Sequence, residues 1–239
     1  MRAGAGMDGR GSGSLSGCRL FAGVPPEQLG SLERRCQFRR VARNVRIVDQ
    51  SDESTDVFLV MHGRVRVTLF GRTGREVIFR DFGVGDYFGE LAAIDGLSRT
   101  ASVVTLVDSV VASMTAEAFW NSVREHPSVA EAVLKRLVSY VRAMNERVLE
   151  FSTLGVRNRI HAELLRLARD GERRDTGVII RLPPTHAELA SRVSTHREAV
   201  TRELSELTRL GLVERRDDGL AITNLSELER LVRDVAGEL

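Results

Sequence analysis

Glu90 and Arg99 stand together in one short stretch, "FGELAAIDGLSRTAS", residues 88–102. A guanidinium pairs with two phosphate oxygens at once, and a carboxylate accepts a hydrogen bond from a sugar hydroxyl. The N–H groups at the start of a short helix, following Gly89, complete an anion site. The set suits a small ligand carrying both a phosphate and a hydroxylated sugar.

A second chemistry lies in "HAELASRVSTHREAVTRELSEL", residues 186–207. Thr185 and Glu188 have the spacing of a capping box. Leu189, Ala190 and Val193 give a first helix its buried face, and Ser194-Thr195 makes a turn. A second helix then starts at Thr195 or His196, with Ala199, Val200, Leu204 and Leu207 turned inward. Arg197, Glu198 and Arg202 fall on the other face, near its beginning. Arginine donates to guanine O6 and N7 and a carboxylate accepts from cytosine N4, and recognition helices place such side chains in their first turns. Thr185, His196 and Thr201 complete the candidate DNA-facing set.

These residues need a scaffold. Residues 41–115 are rich in β-branched residues punctuated by Gly and Asp, and "DVFLVMHGRVRVTLF", "REVIFRDFG" and "SVVTLVDSVVASM" read as short strands. "HGRV", "GRTGRE" and "GVGD" supply turns. Many short strands of this kind predict a sandwich or jelly roll. From His126-Pro127 the period changes. Val133, Leu137, Tyr140, Val141, Met144, Val148 and Phe151 form one helical stripe suited to pairing with a second copy. Beyond Leu154-Gly155 come an amphipathic helix, the short strand "GVIIRLPP", the two helices above and a hairpin joined through Asp218-Gly219. A trihelical unit with a terminal hairpin is a winged helix-turn-helix.

Composition narrows the class. With 35 Lys and Arg against 33 Asp and Glu, the net charge of +2 supports no polycationic arm, so nucleic-acid binding rests on a local patch. Lys135 is the one lysine. Cys18 and Cys36 are too few for a disulfide scaffold or an iron–sulfur cluster, and both read as inert thiols. The histidines show no metal-site spacing, and only His62 lies in the strands, which leaves an enzyme on a metal-binding barrel unsupported. No apolar run approaches the ~18 residues of a membrane span. The glycine- and serine-rich residues 1–16 read as a disordered tail, and the chain as cytoplasmic.

Residues 17 to about 235 resemble the catabolite-activator/FNR superfamily of bacterial transcription regulators. "HREAVTREL" resembles the S-R-E-T-V-x-R-x-L recognition helix of its cyclic-AMP-receptor branch, and the stretch at 88–102 resembles the phosphate-binding cassette F-G-E-L-(x)n-R-(S/T/A)-A. The resemblance implies an α+β chain: a disordered tail at 1–16, a cyclic-nucleotide-binding jelly roll at 17–126, a dimerisation helix at 127–154 and a winged helix-turn-helix at 155–239. It implies that Gly89 makes the tight turn, that backbone groups at Glu90, Leu91 and Ala92 face the ligand, that Glu90 takes the ribose and Arg99 the phosphate, and that Thr100 adds a hydroxyl next to it. Arg197, Glu198 and Arg202 would then read TGTGA-like half-sites as a homodimer, with double-stranded DNA and RNA polymerase as partners. No metal or haem is expected, although haem is the harder of the two to exclude from sequence. Three positions depart from the family: Ser51 and Ser194 stand where glycine is usual, and His196 replaces a serine that contacts phosphate.

The effector follows less directly. The long helix of the family carries a Thr-Ser or Thr-Asn pair for the adenine amino group, and Met144-Asn145 fall at those positions. Met144 removes a hydroxyl contact, whereas Asn145 donates or accepts and so suits adenine N6 or guanine O6. Thr100 is common where cyclic GMP binds. Cyclic AMP is the favoured effector, with cyclic GMP and a ligand-independent regulator as alternatives. In this scheme ligand contacts shift the long helix and a hinge near Phe151–Gly155.

Overall fold

The unbroken apolar run Val57–Val60 needs cover on both faces, and the computed structural model, which describes residues 14–71, 76–174 and 177–236, shows what supplies it. The chain divides into two compact units at Ser139/Tyr140.

In the first unit, strands β1 (Gln37–Val41), β8 (Ser109–Met114), β3 (Val57–His62) and β6 (Tyr87–Phe88) form one antiparallel sheet in that order. Strands β2 (Arg46–Val48), β7 (Ser102–Thr105), β4 (Val65–Phe70) and β5 (Glu76–Phe82) form the other. Phe58 and Val60 of β3 point between the sheets, into a cluster with Val48, Val65, Val67, Phe82, Phe88 and Val103. The rings of Phe58 and Phe88 stack there at 5.1 Å. Val57 and Leu59 point the other way, into a second cluster with Leu15, Leu20, Phe21, Leu29, Leu32 and Phe119. That cluster is roofed by α1 (Pro26–Glu33), α3 (Ala116–Glu125) and the start of α4 (Pro127–Thr153). The expected jelly-roll architecture is present, and α3, capped by Thr115, is an addition to the sequence reading.

The expected tail ends earlier than residue 16. Leu15 is fully buried and its N–H donates to Glu33 Oε1 at 3.0 Å, so an apolar anchor holds Ser14–Gly17 as a short turn. Residues 1–13, the remainder of that tail, and residues 72–75, where "GRTGRE" predicts a turn, lie outside the described residues.

The second unit comprises the end of α4, then α5 (Val156–Arg169), β9 (Glu172–Arg174), β10 (Gly177–Ile180), α6 (His186–Arg192), α7 (Arg197–Arg209), β11 (Val213–Arg216), β12 (Gly219–Ile222) and α8 (Leu225–Ala236). Its sheet runs β11-β12-β10-β9, and its core joins Ile160, Leu164, Leu189, Val193, Val200, Leu207 and Leu228. The hairpin differs from the expectation in register. Arg216 pairs with Gly219, so Asp217-Asp218 form the turn and Gly219 is already in β12. Gly219 is needed there because a Cβ would lie 2.3 Å from the Ile180 carbonyl oxygen.

The stripe on α4 is also redistributed. Val133 is buried and Leu137 packs on the first unit's own core. Val141, Met144, Val148 and Phe151 of the expected stripe are exposed, joined by Leu134, Val138 and Leu149, and the spacing of Leu134, Val138, Val141 and Val148 suits a helix pair. No described helix is long and apolar enough to cross a membrane.

Candidate functional site

The cassette is organised by Gly89. It sits at φ 89°, in the left-handed region open to glycine, and turns β6 into α2 (Glu90–Asp95). A Cβ on Gly89 would stand 2.6 Å from Arg99 Nη1 and 2.7 Å from the Asp56 carbonyl oxygen. That lack of bulk lets the arginine lie against the turn. Arg99 Nη1 donates to the Gly89 carbonyl at 2.9 Å, Nη2 to the Asp56 carbonyl at 2.7 Å and Nε to Ser54 Oγ at 3.2 Å. Its guanidinium lies 5.6 Å from the centre of the Phe58 ring.

Arg99 is 5% exposed and Glu90 3%. Burial pushes the guanidinium below its ordinary pKa, while the charges of Asp56, Asp52 and Glu90 pull it back up. An arginine has five N–H donors. The three bonds named use one N–H on each nitrogen and leave one on each terminal nitrogen. Ala92 is buried behind the turn, and Leu91 and Thr100 are exposed beside it. The structure therefore brings Gly89, Glu90, Ala92 and Arg99 together.

Ser51 belongs to the same construction. Its N–H donates to the Arg99 carbonyl at 3.0 Å, and the Arg99 N–H donates to the Asp52 carbonyl at 2.8 Å. Ser51 holds φ at 76°, which explains why glycine suits this position. Trp120 of α3 donates its indole N–H to the Ala93 carbonyl of α2 at 2.9 Å, tying the cassette helix to the core. On the other side, Arg136 of α4 donates to the Tyr87 carbonyl at 2.5 Å and lies 4.3 Å from the Tyr87 ring. Met144 and Asn145 are exposed positions on the part of α4 that belongs to the second unit.

In the second unit the capping box is present. Thr185 Oγ1 accepts from Glu188 N at 3.2 Å, and Glu188 Oε2 accepts from Thr185 N at 2.7 Å. His196 is the N-cap of α7, which begins at Arg197. Ser194 makes the turn at φ 52°, and Thr195 N donates back to the Ala190 carbonyl at 2.9 Å. His196, Arg197, Glu198, Thr201 and Arg202 are all exposed. The Thr201 hydroxyl donates to the Arg197 carbonyl at 3.0 Å and lies 2.8 Å from His186 Nδ1, so the imidazole N–H is the donor of the latter pair.

Charge sets this face apart. Arg209, Arg216 and Arg230 are each bonded to a glutamate two or three residues away on their own element. Arg197 and Arg202 form no ion pair with any described residue. Two unpaired guanidiniums and one carboxylate at the start of a projecting helix are free to meet an outside partner.

Buried charges escaped the sequence reading. Glu203 of α7 bonds His161 Nε2 of α5 at 2.6 Å and Arg157 Nε at 3.2 Å. Burial pushes the His161 pKa down, partly offset by Glu203. Glu163 of α5 is surrounded by Arg147, Arg166 and Arg192. The available signal was its place three residues after Ile160, on a stripe otherwise apolar. Among the described residues no group of His, Cys, Asp and Glu is arranged to hold a metal ion.

Comparison with known proteins follows the same division. Residues 38–126 match the cyclic nucleotide-binding domain family and residues 158–231 the Crp-like helix-turn-helix domain. The cyclic AMP receptor protein of Thermus thermophilus is 31% identical over 202 residues, covering 83% of this chain and 89% of the relative. A CRP-like cAMP-activated global transcriptional regulator of Mycobacterium tuberculosis is 26% identical over 220 residues, covering 92% and 97%. Among solved structures, a CooA mutant from Carboxydothermus hydrogenoformans shares the fold, with a TM-score of 0.75 at 23% identity over 85% of this chain and 90% of that one.

Proposed function

Because the chain belongs to the catabolite-activator/FNR family of DNA-binding transcription regulators and carries a cyclic nucleotide-binding domain, we propose that it is a homodimer whose grip on DNA is set by cyclic AMP. The observation that carries this reading is the buried Arg99 beside Glu90, with one N–H left on each terminal nitrogen. A cyclic phosphate accepts from the remaining Arg99 N–H groups, the N–H groups of Glu90, Leu91 and Ala92 add to them, and the Glu90 carboxylate accepts from the ribose 2′-hydroxyl. Thr100 stands beside the phosphate. The family correspondence assigns Met144 and Asn145 to the base.

Arg197, Glu198 and Arg202 read half-sites resembling TGTGA, with Thr185, His196 and Thr201 on the flanking backbone. The stripe Leu134, Val138, Val141 and Val148 joins two copies of α4, which sets the half-sites one helical turn apart, about 34 Å. Both relatives named above as responsive to cyclic AMP support the effector. Cyclic GMP is the second reading, favoured by Thr100 and by an asparagine able to accept or donate.

The test is a calorimetric titration with each nucleotide, followed by DNA binding with and without it. Tight binding of cyclic AMP and a matching gain in DNA affinity are expected. Arg99→Leu should abolish both. Retention of nucleotide-dependent DNA binding in that variant would sink the pocket assignment, and full DNA affinity without nucleotide would favour ligand-independent control.

A further inference from the structure

The last turns of α4 are fastened to the helices that follow by buried charge. Glu163 of α5 is 1% exposed. Its Oε2 forms ion pairs with Arg147 Nη2 of α4, at 3.0 Å, and with Arg166 of α5, while Oε1 accepts from Arg192 Nη1 of α6 at 3.4 Å. Glu150 of α4 closes the ring, accepting from Arg166 Nη2 at 2.5 Å and lying 3.6 Å from Arg147 Nη1. A second tie crosses the same turn. Arg159 of α5 lies 5.0 Å from the Phe151 ring centre, and donates to the Leu154 and Val193 carbonyls at 3.2 Å each.

Both ties span Leu154-Gly155, the segment where the sequence suggests a hinge. A buried carboxylate that loses its partners is left in a medium that cannot solvate it, so bending at this turn is opposed by the whole ring. We infer that Glu163 is a positioning residue that makes residues 140–153 of α4 move as one body with the DNA-reading helices. The consequence for control rests on the effector reading: a base contact at Met144 or Asn145 acts directly on the body that reads DNA.

The experiment compares amide hydrogen exchange of the full chain with that of an Arg147→Gln/Glu150→Gln variant. This change removes the ring's hold on α4, leaves the Arg159 tie in place, and keeps Glu163 bonded to Arg166 and Arg192, so the helices beyond it stay satisfied. Arg142→Gln, at an exposed position on the same helix, is the control. In the wild type, amides of 140–153 should exchange with the opening equilibrium of α5. In the variant they should exchange at least tenfold faster, with α5 unchanged, and Arg147→Lys should restore part of the protection. The gain in DNA affinity on adding cyclic AMP should fall at least tenfold, with cyclic AMP affinity within twofold. Unchanged exchange in the variant, or wild-type exchange of 140–153 in step with 127–139, would overturn the inference. Failure of the wild type to bind any nucleotide would refute the effector reading alone, because the exchange comparison needs no ligand.

Discussion

Ser194→Gly should stabilise the second unit while leaving its DNA-reading face intact. Ser194 holds φ at 52° in the turn between α6 and α7, and an L-residue in the left-handed region costs about 1–2 kcal/mol. Glycine removes that cost but loses about 0.5–1 kcal/mol through the greater freedom of its unfolded chain. Its side chain bonds no described residue, and the Thr195-to-Ala190 bond that closes the turn uses backbone alone. The net expectation is a gain of about 0.5–1 kcal/mol, which for a unit of this size raises the melting temperature by about 2–8 °C. Differential scanning calorimetry reads the shift, and a DNA titration checks that affinity stays within twofold. Ser194→Ala is the control: it keeps the Cβ and so should remain within about 0.5 kcal/mol of the wild type. Equal stabilisation by alanine and glycine would refute the backbone argument, since only glycine relieves a positive φ.

Gly89→Ala should lower nucleotide affinity at least tenfold by calorimetry, because the new Cβ meets both Arg99 and the Asp56 carbonyl. Stability should also depend on His161. Burial lowers its folded pKa below the ordinary value of about 6.5, so the unfolded chain binds more protons as pH falls through that value. Stability of the second unit is therefore fully present above pH ~6.5 and declines below it, and His161→Gln should flatten that decline in melts at several pH values. Burial raises the thiol of Cys18 to about 11 and that of Cys36 to about 12. Neither should react with a thiol reagent in the native protein at pH ~8, and both should react once it is denatured.

What the sequence announces here is what repeats along an element or sits next to its partner in the chain. The capping box of α6 needs only Thr185 and Glu188, and the cassette turn only Gly89 and its neighbours, so both are readable. Alternation marks β4, and the three-and-four spacing marks α4. Long-range partners are another matter. Nothing near Arg99 in the sequence points to Ser54 or the Asp56 carbonyl, which reach it from a distant loop. Ser51 and Ser194 are legible as departures from glycine, but only their positive φ values show why glycine fits. Division of the α4 stripe between the core and the outside depends on what α1, α3 and β3 present to it, and Leu134 and Val138 therefore went unread. Asp218-Gly219 resembles a turn by composition, yet the strand register puts the bend one residue earlier.

The hydrogen bond from Trp120 to Ala93 makes the protein its own optical instrument. Trp120 is the only tryptophan in the chain, so intrinsic emission comes from one place. Its indole N–H is anchored to the helix whose first N–H groups would face a bound phosphate, and Arg124 lies 5.7 Å from its ring centre. Any displacement of α2 alters the field around a single fluorophore. Occupancy of the cassette can then be followed in real time, on unlabelled protein, at concentrations too low for calorimetry.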